Sequence, residues 1–464
     1  MKAATAAMLA QPTAAADRAR FLLVAVSTAV AGGLVITAAR IARLSGDSDV
    51  FGHVPRDPDD SLAPYVTQSG LRSGVILGAL LLTVPVLALA AQALRVGSLA
   101  RERRMASLRL AGATRRDVRL IAGAEAGTAA LVGGLLAGPV YLLLWLLLGV
   151  LPPAGLRLMP APDPPDGYLW VMVLLLAAVG GGLAGAAVQG RAVIEPLGVR
   201  RRATPPPPGL VNLAVLALGV VLIVGALVDP FIVSGGSNAL LLLDPLLGVL
   251  LLAFAGGPRL VRRRGHLLRN RGRAEELLAG RRLEADPRPP GRVAAVLVVC
   301  GLALGIEAVF VADILTPDSG LWDDRSFYLT GFGMAAVGVL AAAAVAVVTL
   351  LVGASDQLLD ARRPLASLSA LGVDEQTLFR VLRRQQSAAS VPAVVLGVLA
   401  GGVGAALLDA TSGNVLGAVR NALVPTLVTA GAAGLVVALV ARLAARLLRP
   451  WLRAAIDPEN LKVA

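Results

Sequence analysis

The feature that most constrains this chain is the recurrence of apolar runs about 20 residues long. An α-helix needs a run of that length to cross the hydrocarbon core of a bilayer. Composition agrees, because 56% of the 464 residues are hydrophobic and the mean hydropathy is +0.75, far above the values of ordinary soluble enzymes. The sequence therefore predicts an all-α polytopic membrane protein.

The apolar runs predict about ten transmembrane helices arranged in two pseudo-repeated halves. The predicted spans are residues 21–42, 73–94, 124–150, 168–189, 211–228, 239–260, 293–314, 328–351, 388–408 and 422–447. The loops on the outer side are short, so we expect no large extracytoplasmic domain.

Basic residues predict the orientation of these helices. If the N-terminus is cytoplasmic, most of the 43 Lys and Arg residues fall in cytoplasmic segments, as membrane proteins prefer. Both termini are therefore expected inside. Topology accounts for the net charge of +13, so no nucleic-acid partner is expected. The Ala- and Arg-rich, Lys-poor composition favours a bacterial plasma membrane.

Along the chain this topology predicts seven parts. They are a cytoplasmic segment (1–20), the first helix with its outer loop (21–72), a first repeat module (73–200), two helices with a basic cytoplasmic linker (201–292), the seventh helix with a short outer loop (293–327), a second repeat module (328–449) and a cytoplasmic tail (450–464).

A basic, helix-prone segment occurs twice, once in each module. The first copy runs from Arg101 to Glu125 and the weaker second copy from Asp360 to Gln385. A shift of 260 residues superposes Arg103 on Arg363, Ser107 on Ser367, Leu108 on Leu368 and Gly112 on Gly372. An internal repeat of this kind indicates that one membrane module is present twice.

Each copy is expected to form a helix, a turn and a second helix. Gly112 allows a left-handed turn that ends the first helix, and Thr114 is a candidate N-cap with Asp117 as its acidic partner. Such a segment projects a firm protrusion from the membrane, although a basic amphipathic helix can also lie on anionic lipid headgroups. The acids Asp374 and Glu375 after the second turn favour docking to a protein.

The first copy reads R-x-R-R-x-A-S-L-R-x-x-G-A-T, and an acid, a leucine and spaced glycines follow it between Glu125 and Gly138. This pattern between two spans resembles the FtsX-like permease module of macrolide exporters (MacB-type) and lipoprotein-exporting ABC transporters. Two such modules in a ten-span chain resemble the permeases of bacitracin-type detoxification transporters. The resemblance covers the two repeat modules, a little over half of the chain.

The resemblance implies that the chain is the membrane subunit of an ABC transporter. Its partners would be a cytoplasmic ABC ATPase, in two copies, membrane lipids and an amphipathic substrate such as a lipid, lipoprotein, drug or peptide. ATP and Mg²⁺ would bind to the ATPase, and its closure would move the permease by mechanotransmission. The implied coupling residues are Arg101, Arg103, Arg104, Ser107, Leu108, Gly112, Ala113 and Thr114 in the first copy and Arg363, Ser367, Leu368, Gly372, Val373 and Asp374 in the second.

The sequence also departs from the families it resembles. Pro364 stands where the first copy has Arg104, and Gln385 stands where it has Glu125. These departures predict that the second copy is the weaker coupling element. The large extracytoplasmic domains of both exporter families are missing.

No catalytic or cofactor site is expected in this chain. The only lysines are Lys2 and Lys462, so a G-x-x-x-x-G-K-[ST] phosphate loop cannot form. The two histidines, His53 and His266, fall on opposite sides of the predicted membrane and cannot share a metal.

Two acids within predicted spans are candidates for function, because ionisable groups are costly in a bilayer. Glu307 lies well inside the seventh span, where it could bind a substrate headgroup or a proton. Glu125 lies at the inner start of the third span, where a helix N-terminus stabilises an acid.

Two other functions stay open at this stage. In one, the chain relays an ATPase cycle to an extracytoplasmic partner such as a cell-wall hydrolase, without transport. In the other, it is a secondary transporter driven by protons through Glu307.

Overall fold

The structure is a computed structural model of the full chain. It describes residues 15–44, 62–94, 104–105, 107–153, 155–190, 210–232, 243–316, 324–410 and 415–461. These residues form helices joined by turns and contain no strand beyond an isolated bridge between Leu62 and Arg157. The expected all-α class is thus confirmed for the described part of the chain.

Contacts divide the chain into two compact units, residues 1–201 and 202–464. The helices of the first unit are α1 (Ala15–Arg43), α2 (Pro64–Thr67), α3 (Ser69–Ala93), α4 (Arg115–Trp145) and α5 (Pro164–Gly190). A π-helical turn, Leu146–Val150, extends α4. The described residues between α3 and α4, 104–105 and 107–110, are also helical.

The second unit is longer and also helical. Its helices are α6 (Leu210–Ile232), α7 (Leu243–Arg269), α8 (Ala274–Ala285), α9 (Arg288–Ile314), α10 (Arg325–Asp360), α11 (Arg362–Ala370), α12 (Glu375–Ala410), α13 (Val415–Leu447) and α14 (Arg449–Ile456). A 3-10 turn, Pro458–Leu461, follows α14.

Eight helices in the described part are long and apolar enough to cross a membrane, so this is a multi-pass membrane protein. They lie at Asp17–Arg43, Gly74–Ala93, Arg116–Val150, Pro164–Ala187, Arg288–Ile314, Arg325–Leu359, Glu375–Leu407 and Val419–Leu447. Eight predicted spans overlap them. The predicted span 211–228 falls on a shorter apolar stretch, Leu213–Gly225. Of the predicted span 239–260, residues 243–260 belong to α7 and residues 239–242 lie outside the described residues. Ten spans thus stays a prediction.

Small residues allow the helices of the first unit to approach closely. A methyl group added at Gly133 of α4 would come within 2.5 Å of the carbonyl oxygen of Ala25 in α1. One added at Gly185 of α5 would come as close to the carbonyl oxygen of Ala122 in α4. A larger side chain would not fit at either contact. Small residues at such contacts are common between membrane helices. Helix α4 is therefore the centre of this unit, packed against both α1 and α5.

Close packing at glycines also joins α9 to α12 in the second unit. Gly301 and Gly305 of α9 face Gly397 and Gly401 of α12, each pair with the G-x-x-x-G spacing. A methyl group at Gly401 would lie 2.1 Å from the carbonyl oxygen of Leu302. Backbone therefore contacts backbone along two turns, and the two helices are held as a pair.

Candidate functional site

We call residues 104–121 the first turn segment and residues 362–382 the second turn segment. They contain the predicted coupling residues, except that Arg101 and Arg103 lie outside the described residues. Each segment ends in a long apolar helix, α4 or α12, that begins directly after the turn. In both segments the turn residues are exposed and the adjoining helical face is buried.

The first turn closes with the Schellman arrangement of hydrogen bonds. The backbone N–H of Gly112 donates to the carbonyl of Arg109 (3.0 Å), and that of Ala113 donates to Leu108 (3.0 Å). Gly112 has φ +95°, a left-handed conformation that glycine adopts without strain. The predicted left-handed turn at Gly112 is confirmed.

The second turn has the same arrangement. Gly372, with φ +92°, donates to the carbonyl of Ser369 (2.9 Å), and Val373 donates to Leu368 (3.1 Å). In both turns the residue after the glycine and the leucine that accepts its hydrogen bond pack against the same buried cluster. The local backbone geometry of the two turns is therefore alike.

Both helices after the turns begin with a side-chain cap. Thr114 and Asp117 form a capping box, in which the N–H of Asp117 donates to Thr114 Oγ1 (3.2 Å) and the N–H of Thr114 donates to Asp117 Oδ2 (3.0 Å). At the second turn the two residue types exchange places, and the N–H of Thr377 donates to Asp374 Oδ1 (2.8 Å). Hydrogen bonds from Thr377 hold the pKa of Asp374 below its usual value. Asp374 thus caps α12.

The most exposed apolar side chains of the segments are two leucines that the sequence patterns did not single out. Leu110 is 85% exposed and Leu371 is 81% exposed, each within two residues of the turn glycine. The predicted Leu108 and Leu368 are instead half-buried against their own segments. Both leucines lie at the C-terminal end of a helix, next to the turn. Their exposure depends on the geometry of that turn, so the sequence patterns could not identify them.

The predicted serines and arginine lie on the exposed side of the segments. Ser107 donates to the carbonyl of Arg104 (2.8 Å) and Ser367 donates to that of Pro364 (2.9 Å), so both hydroxyls bond within their own helix. Arg363 is exposed. Pro364 falls in the first turn of α11, where a missing N–H costs no intrahelical bond.

The two segments differ in what lies behind them. The first rests on a small buried cluster of Met105, Val118 and Ile121. Behind the second lies a larger cluster, in which Leu365 and Leu378 meet residues of α10 and α14. In this cluster the buried residues are Ala354, Leu358, Leu365, Leu378, Leu382, Leu448, Leu452 and Ala455.

Helix α14 also binds the second segment through charge. Arg449 Nε lies 2.7 Å and Arg453 Nε lies 3.0 Å from Glu375 Oε1, at the start of α12. The guanidinium of Arg449 lies over the ring of Phe379, 5.6 Å from its centroid. The residue Glu375, which the sequence placed on a docking surface, is therefore engaged by the C-terminal helix.

Glu125 does not have the predicted role at a helix N-terminus. Helix α4 begins at Arg115, ten residues earlier, so Glu125 lies in its third turn, away from the N–H groups that stabilise an acid there. Its carboxylate is buried and pairs with two arginines, Arg20 of α1 (2.7 Å) and Arg104 of the first segment (3.4 Å). At the aligned position, Gln385 donates to Gln357 Oε1 (3.3 Å).

Glu307 is half-buried in α9, within an apolar span. No residue in the described part of the chain donates a hydrogen bond to its carboxylate or forms an ion pair with it. It lies two residues before Val309, which packs against α12 and α13. Glu307 and the turn segments thus occupy different parts of the unit.

An ion cluster at the other end of the first unit was not predicted. Asp166 of α5 accepts hydrogen bonds from Arg43 of α1 and from Tyr141 Oη of α4 (2.5 Å). Arg40 pairs with Asp163 (3.0 Å). These residues are far apart in the sequence, so no local pattern reports the cluster. It ties the ends of three helices together.

Comparisons with known proteins identify no relative. No family model matches the chain, and no curated protein or solved structure matches it. Among the described residues no group of three His, Cys, Asp or Glu side chains is placed to hold a metal ion. The functional argument therefore rests on the geometry of the two turn segments.

Proposed function

We propose that this protein is the membrane subunit of an ABC transporter of the FtsX-like type, with two copies of one module in a ten-span chain. Its turn segments dock onto cytoplasmic ABC ATPases. The ATPase cycle then drives export or extraction of an amphipathic substrate across a bacterial plasma membrane. Both termini lie in the cytoplasm.

The observation that carries this proposal is the pair of exposed leucines on capped turns. Leu110 and Leu371 each stand at the tip of a backbone that a Schellman motif and a side-chain cap hold in one conformation. An exposed apolar side chain on a rigid protrusion is suited to a pocket on a protein partner.

The proposal also accounts for the continuity of the helices. Helix α4 runs from Arg115 to Trp145 and α12 runs from Glu375 to Ala410, so each joins a turn directly to an apolar span. A displacement of the turn must move the span with it. This is what mechanotransmission from an ATPase requires.

The test is co-expression with the ABC ATPases encoded in the same genome, followed by purification in detergent and measurement of binding and ATPase activity. We expect Leu110→Asp and Leu371→Asp each to weaken binding at least about tenfold, because a charged group replaces an apolar contact at the centre of the docking site. The matched control is Leu267→Asp, at a leucine of α7 that is 56% exposed and outside both segments.

Binding that stays unchanged in both tip variants would contradict the proposal, as would the absence of a complex with any of the ATPases. Loss of binding in the control as well would show a general effect of added charge. Substrate accumulation in vesicles then separates transport from a relay to an extracytoplasmic partner.

Glu307 is the basis of a second candidate function, which is proton-coupled transport. The observation in its favour is a half-buried carboxylate in an apolar span with no bonding partner among the described residues. We expect Glu307→Gln to leave the amount of assembled protein unchanged and to lower transport or substrate-stimulated ATPase activity severalfold. Equal activity in the variant and the wild type would remove Glu307 from the mechanism. Transport without any ATPase would favour the second function over the first.

A further inference from the structure

Arg259 is partly buried, and its two terminal guanidinium nitrogens have no bonding partner among the described residues. It follows Pro258 near the end of the apolar part of α7, and both Nη1 and Nη2 of its guanidinium are buried with no hydrogen-bond acceptor among the described residues. Arg20 and Arg43 each have one buried nitrogen without an acceptor, but each pairs with a carboxylate through another nitrogen. Arg72 donates to the carbonyls of Val66 (2.6 Å) and Thr67 (2.8 Å).

A buried charge of this kind is costly unless an anion accompanies it. Removing a guanidinium from water is unfavourable, and the cost is recovered only when its N–H groups find acceptors. Two adjacent Nη groups match the spacing of two oxygens of a carboxylate or a phosphate. The arrangement therefore indicates an acceptor that the described residues do not supply.

The carboxylates of the neighbouring helix α8 are already engaged elsewhere. Glu275 pairs with Arg380 (2.8 Å), and Glu276 pairs with Arg384. Glu284 accepts a hydrogen bond from Arg269 (3.2 Å). These bonds hold α8 against α7 and α12, and none of the three carboxylates bonds to Arg259.

The surroundings of Arg259 are positive. Pro258 packs on Gly291, in the first turn of α9, so Arg259 lies beside the N-terminal end of that helix. A helix N-terminus carries partial positive charge, and the first turn of α9 has no acidic residue. Arg262 lies three residues further along the same face of α7.

Helix α8 contributes a further arginine, Arg282, to this region, although it also carries three glutamates. Burial lowers the pKa of Arg282 in α8. Helices α7 and α8 approach at Gly265 and Gly280, where a methyl group on Gly280 would lie 2.5 Å from the carbonyl oxygen of Gly265. The hairpin is thus tightly packed and rich in arginine, which favours a defined anion site over a diffuse charged surface.

We propose that Arg259, with Arg262 beside it, binds a phosphate oxyanion at the end of the apolar stretch of α7. The phosphate could belong to the headgroup of an anionic phospholipid or be a free phosphate group, since both offer the same oxygens. This site is distinct from the turn segments, and it does not depend on the proposed ABC transporter function.

The test uses the full chain, delipidated in detergent. Native mass spectrometry measures retention of phosphatidylglycerol against phosphatidylcholine, and thermal unfolding is followed with inorganic phosphate against chloride at equal ionic strength. We expect the wild type to prefer phosphatidylglycerol or to be stabilised by phosphate. Arg259→Gln should lower that binding about tenfold or more, because two charge-assisted hydrogen bonds are lost.

The matched control is Arg271→Gln, which removes one charge from an exposed position beyond the end of α7 and should leave binding unchanged. A response to phosphatidylglycerol alone assigns the site to a lipid headgroup, and a response to inorganic phosphate without lipid assigns it to a free phosphate. Equal losses in both variants would overturn the proposal, because they indicate diffuse charge.

A second variant keeps the test decisive if Arg259→Gln does not fold. Arg259→Lys retains the charge but not the paired N–H groups, so we expect a smaller loss of binding than in Arg259→Gln. A wild type with no preference for phosphatidylglycerol over phosphatidylcholine and no response to phosphate overturns the proposal whatever the variants do.

Discussion

The first and second turn segments share a backbone and differ in their support. Each turn has a left-handed glycine, the same pair of backbone hydrogen bonds and a capped helix after it. The first rests on a small cluster around Met105 and connects through Arg104 to Glu125. The second is backed by α10 and by the C-terminal helix α14.

This difference shows that turn geometry and turn stability are set by different parts of the sequence. Residues within a few positions of Gly112 and Gly372 determine the turn itself. Leu452 of α14 and Leu448 just before it support the second turn, although they are about 80 positions away in the sequence. A turn segment can therefore keep its shape while its rigidity changes.

The largest expected effect comes from removing the support that only the second segment has. Leu452 of α14 is 1% exposed, and we expect Leu452→Ala to destabilise the second segment by about 3 kcal/mol, because it leaves a cavity in the cluster. Hydrogen exchange of residues 362–382 should speed up, with residues 107–121 unchanged. Trp451→Ala, at a half-exposed neighbour, is the control. Faster exchange in both segments would refute separate support.

A smaller effect, equal in the two segments, is expected from the turn glycines. Gly112→Ala and Gly372→Ala should each cost about 1–2 kcal/mol, because a side chain disfavours positive φ. No heavy atom lies within 4 Å of either added methyl, so crowding contributes nothing. Limited proteolysis at each turn should accelerate about 5–30-fold. Unequal effects would show that the two turns are not alike, and asparagine at either position should be milder.

The smallest effect is expected at the helix caps, where Thr and Asp exchange positions between the two segments. Thr114→Ala removes the acceptor of the first cap and should cost about 1 kcal/mol, whereas Thr377→Ala keeps the backbone donor of the second cap and should cost less. Amide exchange in the first turn of each helix measures the difference. Equal losses would mean that Asp374 is not the cap of α12.

Low pH should weaken the cap that Asp374 forms at the start of α12. Since the pKa of Asp374 is lowered in the folded protein, its stabilising effect is present above the ordinary carboxyl pKa and is lost as the pH falls through the lowered value. We expect protection at the start of α12 to decrease only below about pH 3.8. Asp374→Asn should show no such decrease, and the same decrease in that variant would assign it to another group.

Local patterns predicted much of this structure. Apolar runs located eight of the membrane-crossing helices, and glycine with a following Thr or Asp located both turns. These features depend on residues that are adjacent in the sequence, so they can be predicted from the sequence alone. The repeat offset of 260 residues also aligned the capping positions, with Thr114 opposite Asp374.

Features that depend on distant residues were missed. Helix α10 continues to Asp360, past the predicted end of its span at residue 351, and Asp356 near its end is buried by tertiary packing that no local pattern reports. Docking of α14 on Glu375 likewise joins residues that no local pattern connects. Pro364 and Gln385 predicted that the second segment is the weaker coupling element. In the structure the second segment has the larger buried cluster behind it. Whether it binds an ATPase more weakly than the first segment stays a prediction.

The length of α12 has a mechanical consequence. It has 36 residues, which at 1.5 Å per residue makes a rod about 54 Å long. A tilt of about 5° at the capped end would displace the far end by about 5 Å over that length. Because α9 is joined to α12 by backbone contact at paired glycines, the lever carries a second helix with it.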